Sequence, residues 1–247
     1  MECITVKNKL CEIIVASRPG LRKNLDILRK GYPESSWSKQ TKGHKFRDAA
    51  EDILKALADR TLEIIGVGNK KRVVILMPWR SGLAFGKSYR DAGVKQSYHL
   101  SSQRDEKTLY PIVDYEYGTV LKKSNAVIIA DPMLATGNTA IDAIKRMLQK
   151  GIAPKNIIIN SVVAAPVGIA KIKKNYPKVK IIIGVLDKKL DQRGFIIPGL
   201  GDFGDKYFAG MDKDDLNKFI DSFELPSEAR QKLKNRIVKH SVFNKKP

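Results

Sequence analysis

Four apolar, mostly β-branched runs recur along the chain: RVVILM at 72–77, AVIIAD at 126–131, NIIINSVVAA at 156–165 and VKIIIGVLD at 179–187. None alternates polar with apolar residues, so each suits a strand covered on both faces. Helical segments lie between them. SGLAFGKSYRDAG at 81–93 reads as a helix, followed by an extended VKQSYHLSS at 94–102. NTAIDAIKRMLQKG at 138–151 is a helix closed by Gly151, and PVGIAKIKKNY is a helix starting at Pro166. Ahead of the first run, KGHKFRDAAEDILKALADRTL places Phe46, Ala50, Ile53, Leu54 and Leu57 at helical spacing. Strands alternating with helices predict an α/β fold, a doubly wound and mostly parallel sheet. Ligands of such sheets sit beyond the C-terminal ends of the strands. Pro78–Gly82, Asp131–Thr139 and the stretch after Asp187 therefore share one rim.

Composition excludes several classes. No apolar stretch is long enough to span a bilayer, and the charged N-terminus does not read as a signal peptide. The two cysteines, Cys3 and Cys11, suffice for neither a disulfide framework nor a metal site, and suit free thiols in a reducing cytoplasm. His44, His99 and His240 lack metal-ligand spacing. The net charge of +20 draws anions of any kind, and a solvated lysine-rich surface accounts for it as well.

The rim segment 125–148 holds the most chemistry. Thr136, Gly137, Asn138 and Thr139 enter a helix at its N-terminus, where free N–H groups and the positive dipole end face a ligand. One phosphate monoester fits there. A nucleoside triphosphate loop would carry Gly-Lys-Ser/Thr, and here the sequence is Gly-Asn-Thr. Loop composition alone fits a capped strand–turn–helix junction equally well. Asp131 decides between them. A carboxylate at the strand end would repel a bare phosphate but accepts hydrogen bonds from sugar hydroxyls. A ribose 5-phosphate satisfies both ends of the loop.

The segment ADPMLATGNTAIDAIKRML resembles the phosphoribosyl pyrophosphate (PRPP) loop of the uracil phosphoribosyltransferases, a type I phosphoribosyltransferase family. Asp131, Pro132, Met133, Leu134, Ala135, Thr136 and Gly137 match that pattern. Asn138 replaces a usually small residue, and Thr139 stands where Ser or Thr is usual. LMPWRSGLAFG resembles the family's strand–Arg–Gly element, QRDEKTLYPIVDYEYG its flexible loop, and TKGHKFRDAAEDILKALADRTLE its N-terminal helix. VVAAPVGIAKIKKNYPKVKI and LDKKLDQRGFIIPGLGDFGDKYFAG continue the likeness, the latter as the uracil-binding hood. Coverage is roughly residues 21–210.

The resemblance implies a reaction of uracil with PRPP to UMP and pyrophosphate, without a covalent nucleophile. Arg80 and Arg104 would bind the pyrophosphate, Asp131 through Thr139 the phosphoribosyl group, and Asp202 would face the same side. Ile196, Gly201 and Phe203 would contact the base, whose acceptor–donor–acceptor edge main-chain groups can read. Mg2+ would arrive with the pyrophosphate and not in a protein cage. A homo-oligomer is implied, with GTP a candidate effector. The expected organisation is a phosphoribosyltransferase domain over 1–210, with its hood at about 188–210, and a basic helical extension over 211–247.

Three features depart from the family. Its β-hairpin dimer arm is missing between Leu62 and Arg72. Trp79 and Ser81 flank Arg80 where aliphatic or small residues are usual. Residues 211–247 run past the usual end. MDKDDLNKFIDSF and LPSEARQKLKNRIVKH read there as two helices, the second bearing Arg230, Lys232, Lys234, Arg236 and Lys239, with Lys245 and Lys246 beyond it. Two alternatives follow: a phosphoribosyltransferase-fold regulator that binds RNA through its basic surface, and a transferase acting on another nucleobase.

Overall fold

The computed structural model describes residues 11–14, 18–33, 35–104 and 111–240, with the backbone alone described at 67, 69, 103, 104, 111 and 240. Cys3, residues 105–110, Lys245 and Lys246 lie outside the described residues.

The strands are β1 (Cys11–Ile13), β2 (Val73–Pro78), β3 (Gln96–Arg104), β4 (Pro111–Gly118), β5 (Ala126–Ala130), β6 (Met133–Leu134), β7 (Ile157–Ala164) and β8 (Lys180–Leu186). They form one sheet in the order β1-β8-β7-β5-β2-β3-β4, with β6 beside β7. Every pairing is parallel except β3 with β4. From β2 the chain winds one way to β3 and the other way to β5, β7 and β8. The crevice between β2 and β5 is the switch point where such sheets bind ligands.

Helices cover both faces. On one lie α1 (Pro19–Arg29), α2 (His44–Ile65), α3 (Phe85–Asp91) and α6 (Phe203–Phe208), with α7 (Lys213–Asp221) and α8 (Ser227–His240). On the other lie α4 (Asn138–Gln149) and α5 (Pro166–Asn175). Because strand side chains alternate between faces, Val73, Ile75 and Met77 of β2 join the first layer, and Val74 and Leu76 the second. That is why the run shows no polar alternation. Phe46, Ala50, Ile53, Leu54 and Leu57 of α2 are each fully buried against the first layer. Each large apolar side chain so buried stabilises the fold by about 1.5–3 kcal/mol.

Two short elements add to the expected set. β1 extends the sheet beyond β8, and α1 packs on α2 through buried Leu25 and Leu28. Where the sequence lacks the family's dimer arm, a 3-10 stretch, Val67–Arg72, leads directly into β2. The helices past residue 210 are docked. Leu216, Ile220, Phe223, Leu225, Ala229, Leu233 and Ile237 join the first apolar layer.

Candidate functional site

Asp131 leaves β5 at the switch point, fixed there by its own N–H donating to the Asn160 carbonyl of β7 at 3.1 Å. Asn160 is itself locked in the core by Thr61 of α2 and Tyr89 of α3. The next residues form β6 along β7, and Ala165 donates to the Leu134 carbonyl at 2.9 Å. Gly168 on α5 packs so closely on this loop that a Cβ there would lie 2.3 Å from the Ala135 carbonyl oxygen. Gly137 then turns the chain into α4 with φ +80°, a left-handed conformation that side-chained residues resist.

No side chain caps α4 at Gly137. Thr136 Oγ1 accepts from Asn138 N–H at 3.4 Å, at a helix start whose first-turn amides have no partner within the helix. The Asn138 side-chain Oδ1 accepts from Lys171 Nζ of α5 at 2.5 Å, which braces the loop from the far side. This tie explains how a buried asparagine replaces a small residue.

A cavity of about 340 Å3 lies above the loop. Asp131, Met133, Leu134, Ala135, Thr136, Gly137, Asn138 and Thr139 line its floor, and Ile196, Gly201 and Asp202 its roof. The structure thus brings the loop and the hood together around one volume. Asp131 shows an edge to this cavity and is otherwise enclosed. Burial pushes its carboxyl pKa up to about 6, opposed by hydrogen bonds from Met133 N–H (3.3 Å) and Ser81 Oγ (3.2 Å), with the charge of Asp202 adding to the rise. Both hydrogen bonds are long, so the carboxylate is left with unused acceptor capacity toward the cavity.

The roof is built by β9 (Lys189–Leu190) and β10 (Ile196–Ile197), an antiparallel pair. Asp191 closes their turn by accepting from the N–H groups of Arg193 and Phe195. Asp187, 4% exposed, anchors the roof: one carboxylate oxygen accepts from Gly199 N–H at 2.9 Å, the other pairs with Arg29 of α1.

Arg80 stands beside the cavity and not on its lining. Its guanidinium pairs with Asp205 at 2.7 Å, with Asp202 at 3.8 Å, so two carboxylates aim it. Asp202 also caps α6, accepting from Asp205 N–H. Arg104 ends β3, and its side chain lies outside the described residues.

Two of the expected site residues keep their side chains off the cavity lining. The Phe203 ring is fully buried, 5.1 Å edge-on from Phe46 and stacked 5.8 Å from Tyr207, so it fills the core below the hood and does not wall the cavity. An aromatic ring gains more by that burial than by lying at a wet rim. Pro132 is also buried behind the loop, its carbonyl accepting from Val162 and Val163. Sequence reasoning missed Tyr32, Ser161, Phe195 and Leu200 on the cavity lining. The FIIPGL stretch holds two of them and could have signalled Phe195. Tyr32 comes from a distant loop and carries no local signal.

Among the described residues, no group of three or more His, Cys, Asp or Glu side chains converges as a metal site, and no helix is long and apolar enough to cross a membrane. His99 is buried, and burial followed by the charge of Arg90 pushes its pKa down to about 4. It stays neutral and accepts a hydrogen bond from Trp79 Nε1 at 3.1 Å.

An uncapped helix start, a carboxylate at the switch point and a hood above them are the arrangement of a type I phosphoribosyltransferase. The family model for uracil phosphoribosyltransferase matches residues 65–210. The uracil phosphoribosyltransferase of Malacoplasma penetrans is 35% identical over 186 residues, covering 68% of this chain and 89% of that protein. That of Dictyostelium discoideum is 41% identical over 110 residues, covering 44% of this chain and 51% of that one. The chain thus spans about half the length of this second relative. The solved structure of the AQ2163 protein from Aquifex aeolicus aligns with a TM-score of 0.68 at 27% identity, covering 78% of this chain and 96% of that one. The chain belongs to the uracil phosphoribosyltransferase family.

Proposed function

We propose that the protein transfers the phosphoribosyl group of PRPP to uracil, giving UMP and pyrophosphate in pyrimidine salvage. The observation that carries this reading is the single cavity shared by the Asp131–Thr139 loop and the hood. The α4 amides and the Thr136 and Thr139 hydroxyls hold the 5-phosphate. Asp131 accepts from the ribose hydroxyls. The base lies under Ile196, Gly201 and the Phe203 backbone, with Asp202 toward the sugar. As the bond from the anomeric carbon to pyrophosphate breaks and the bond to the uracil nitrogen forms, negative charge grows on the leaving group. Arg80, aimed by Asp202 and Asp205, and Arg104 stabilise that charge.

Asp131 and Asp202 are hard oxygen donors at the cavity and fit a Mg2+ ion that brings most of its ligands as pyrophosphate oxygens and water. That ion would neutralise charge on the leaving group. The same reading makes the protein a cytoplasmic homo-oligomer, whose assembly does not use the family's hairpin arm. Pyrophosphate release from PRPP, measured with uracil and a panel of other bases, tests the proposal. Uracil-dependent release is expected. Release with no base, or only with a base other than uracil, would overturn it.

A further inference from the structure

The helices beyond the family-matched region reach the pyrophosphate end of the site. Phe223, which follows α7, lies 5.6 Å edge-on from His99 of β3. His99 accepts from Trp79, and Trp79 also packs on Tyr115 of β4 with ring centres 6.0 Å apart. Lys232 of α8 sits 4.9 Å over that Tyr115 ring. Two departures from the family, the tryptophan before Arg80 and the extra C-terminal helices, are therefore parts of one packed unit.

One turn after Lys232 comes Arg236, whose side chain is only 12% exposed. Its guanidinium donates to Ser101 Oγ at 2.5 Å, to the Ser102 carbonyl, and to Asp114 at 3.4 Å. These partners surround a break in the β3–β4 ladder. Ser101 pairs with Tyr115 and Ser102 with Val113, so Asp114 is the extra residue of a bulge. Adjacent to Ser101, the Leu100 carbonyl accepts from Trp79 N–H at 2.7 Å. A continuous path of hydrogen bonds and two peptide units joins Arg236 to the backbone of Arg80. Burial, and the like charge of Arg80, lower the Arg236 pKa against the pull of Asp114.

We propose that Arg236 is a positioning residue for Arg80: by holding the Ser101–Ser102 bulge it fixes the backbone from which the pyrophosphate arginine projects. Only a planar fork spans a hydroxyl, a carbonyl and a carboxylate at once. The proposal rests on the PRPP reading of the site and extends it to a side chain outside the family-matched segment.

PRPP affinity, measured by calorimetry on the full chain, tests it with Arg236→Gln, Arg236→Lys and the exposed control Lys239→Gln. Arg236→Gln is expected to weaken PRPP binding about tenfold, because misplacing a charged group by a fraction of an ångström has effects of that order. Arg236→Lys keeps the charge, loses the fork, and is expected to recover less than half of the loss. Affinity for UMP, which lacks the pyrophosphate, should stay within about twofold of wild type, and Lys239→Gln should match wild type throughout. Equal losses for PRPP and UMP would mark a general structural role and overturn the proposal, as would full recovery by Arg236→Lys. Should Arg236→Gln fail to fold, wild-type PRPP affinity in Arg236→Lys would overturn it. A wild-type chain that binds UMP but not PRPP would refute the underlying site reading instead, and the proposal with it.

Discussion

Replacing Asp131 with asparagine should make the protein more stable and less able to bind PRPP. The carboxyl titrates at about 6 in the folded protein, against an ordinary value of 3.8. A rise of that size corresponds to about 3 kcal/mol of differential stability. Asp131 keeps an edge on the cavity, and water there reduces the cost to roughly 2 kcal/mol. The sign follows from proton uptake. Between pH 3.8 and 6 the folded protein binds more protons at this site than the unfolded chain, so stability falls as pH rises through that window. Above it the full cost is present. Below it Asp131 is protonated in both states and the cost is gone.

Asparagine carries no charge to desolvate. For a chain of this size about 1 kcal/mol moves Tm by about 2–4 °C, so Asp131→Asn should melt about 4–8 °C above wild type at pH 7.5. Near pH 4 the gap should nearly close. Binding should move the other way. Each hydrogen bond from a ribose hydroxyl to the carboxylate is worth about 1.5–3 kcal/mol, so losing the charge at two of them weakens PRPP about 100-fold or more. Scanning calorimetry at both pH values and a PRPP titration read the two effects. Identical melting at pH 7.5 would refute the desolvation argument. Unchanged PRPP affinity would refute the sugar assignment.

Phe203→Leu should cost about 1–3 kcal/mol in urea unfolding and leave the KM for uracil unchanged, because the ring fills the core. A shifted uracil KM at wild-type stability would contradict that placement. Gly168→Ala should push the Ala135 carbonyl away and weaken PRPP binding, which a wild-type affinity would refute. Asp187→Asn, removing the charge that meets Arg29 and loosening the hood anchor, should cost up to about 3 kcal/mol and raise the uracil KM more than the PRPP KM. Equal rises in both would show that the anchor does not act through the base.

Much of the sheet was legible because its strands are buried on both faces. A run such as Val73–Met77 has no other soluble use of comparable economy, and α2 declares its inner face through Phe46, Ile53 and Leu57. The turn over Asp131–Thr139 was legible because its small and hydroxyl residues lie in one continuous strand–turn–helix segment. β1 was not: three residues at a sheet edge carry too little pattern to announce a partner. Nor was α1, whose importance lies in Arg29 meeting Asp187 across 158 positions. The direction of the Phe203 ring was not legible, because a residue inside a glycine-rich hood motif can still turn its ring into the core. The helices past residue 210 read from sequence either as a docked or frayed pair or as a basic arm, because their apolar residues, Leu216, Ile220, Leu233 and Ile237, are few and spaced by charge. Only packing shows that these few complete the first layer.

A crystal structure of the chain with UMP tests the central claim most directly. The account predicts the 5-phosphate on the Asn138–Ala140 amides, ribose hydroxyls within about 3 Å of Asp131, and uracil paired with main-chain groups of residues 196–203. UMP bound with its phosphate under the hood, or with no hydroxyl at Asp131, would contradict it.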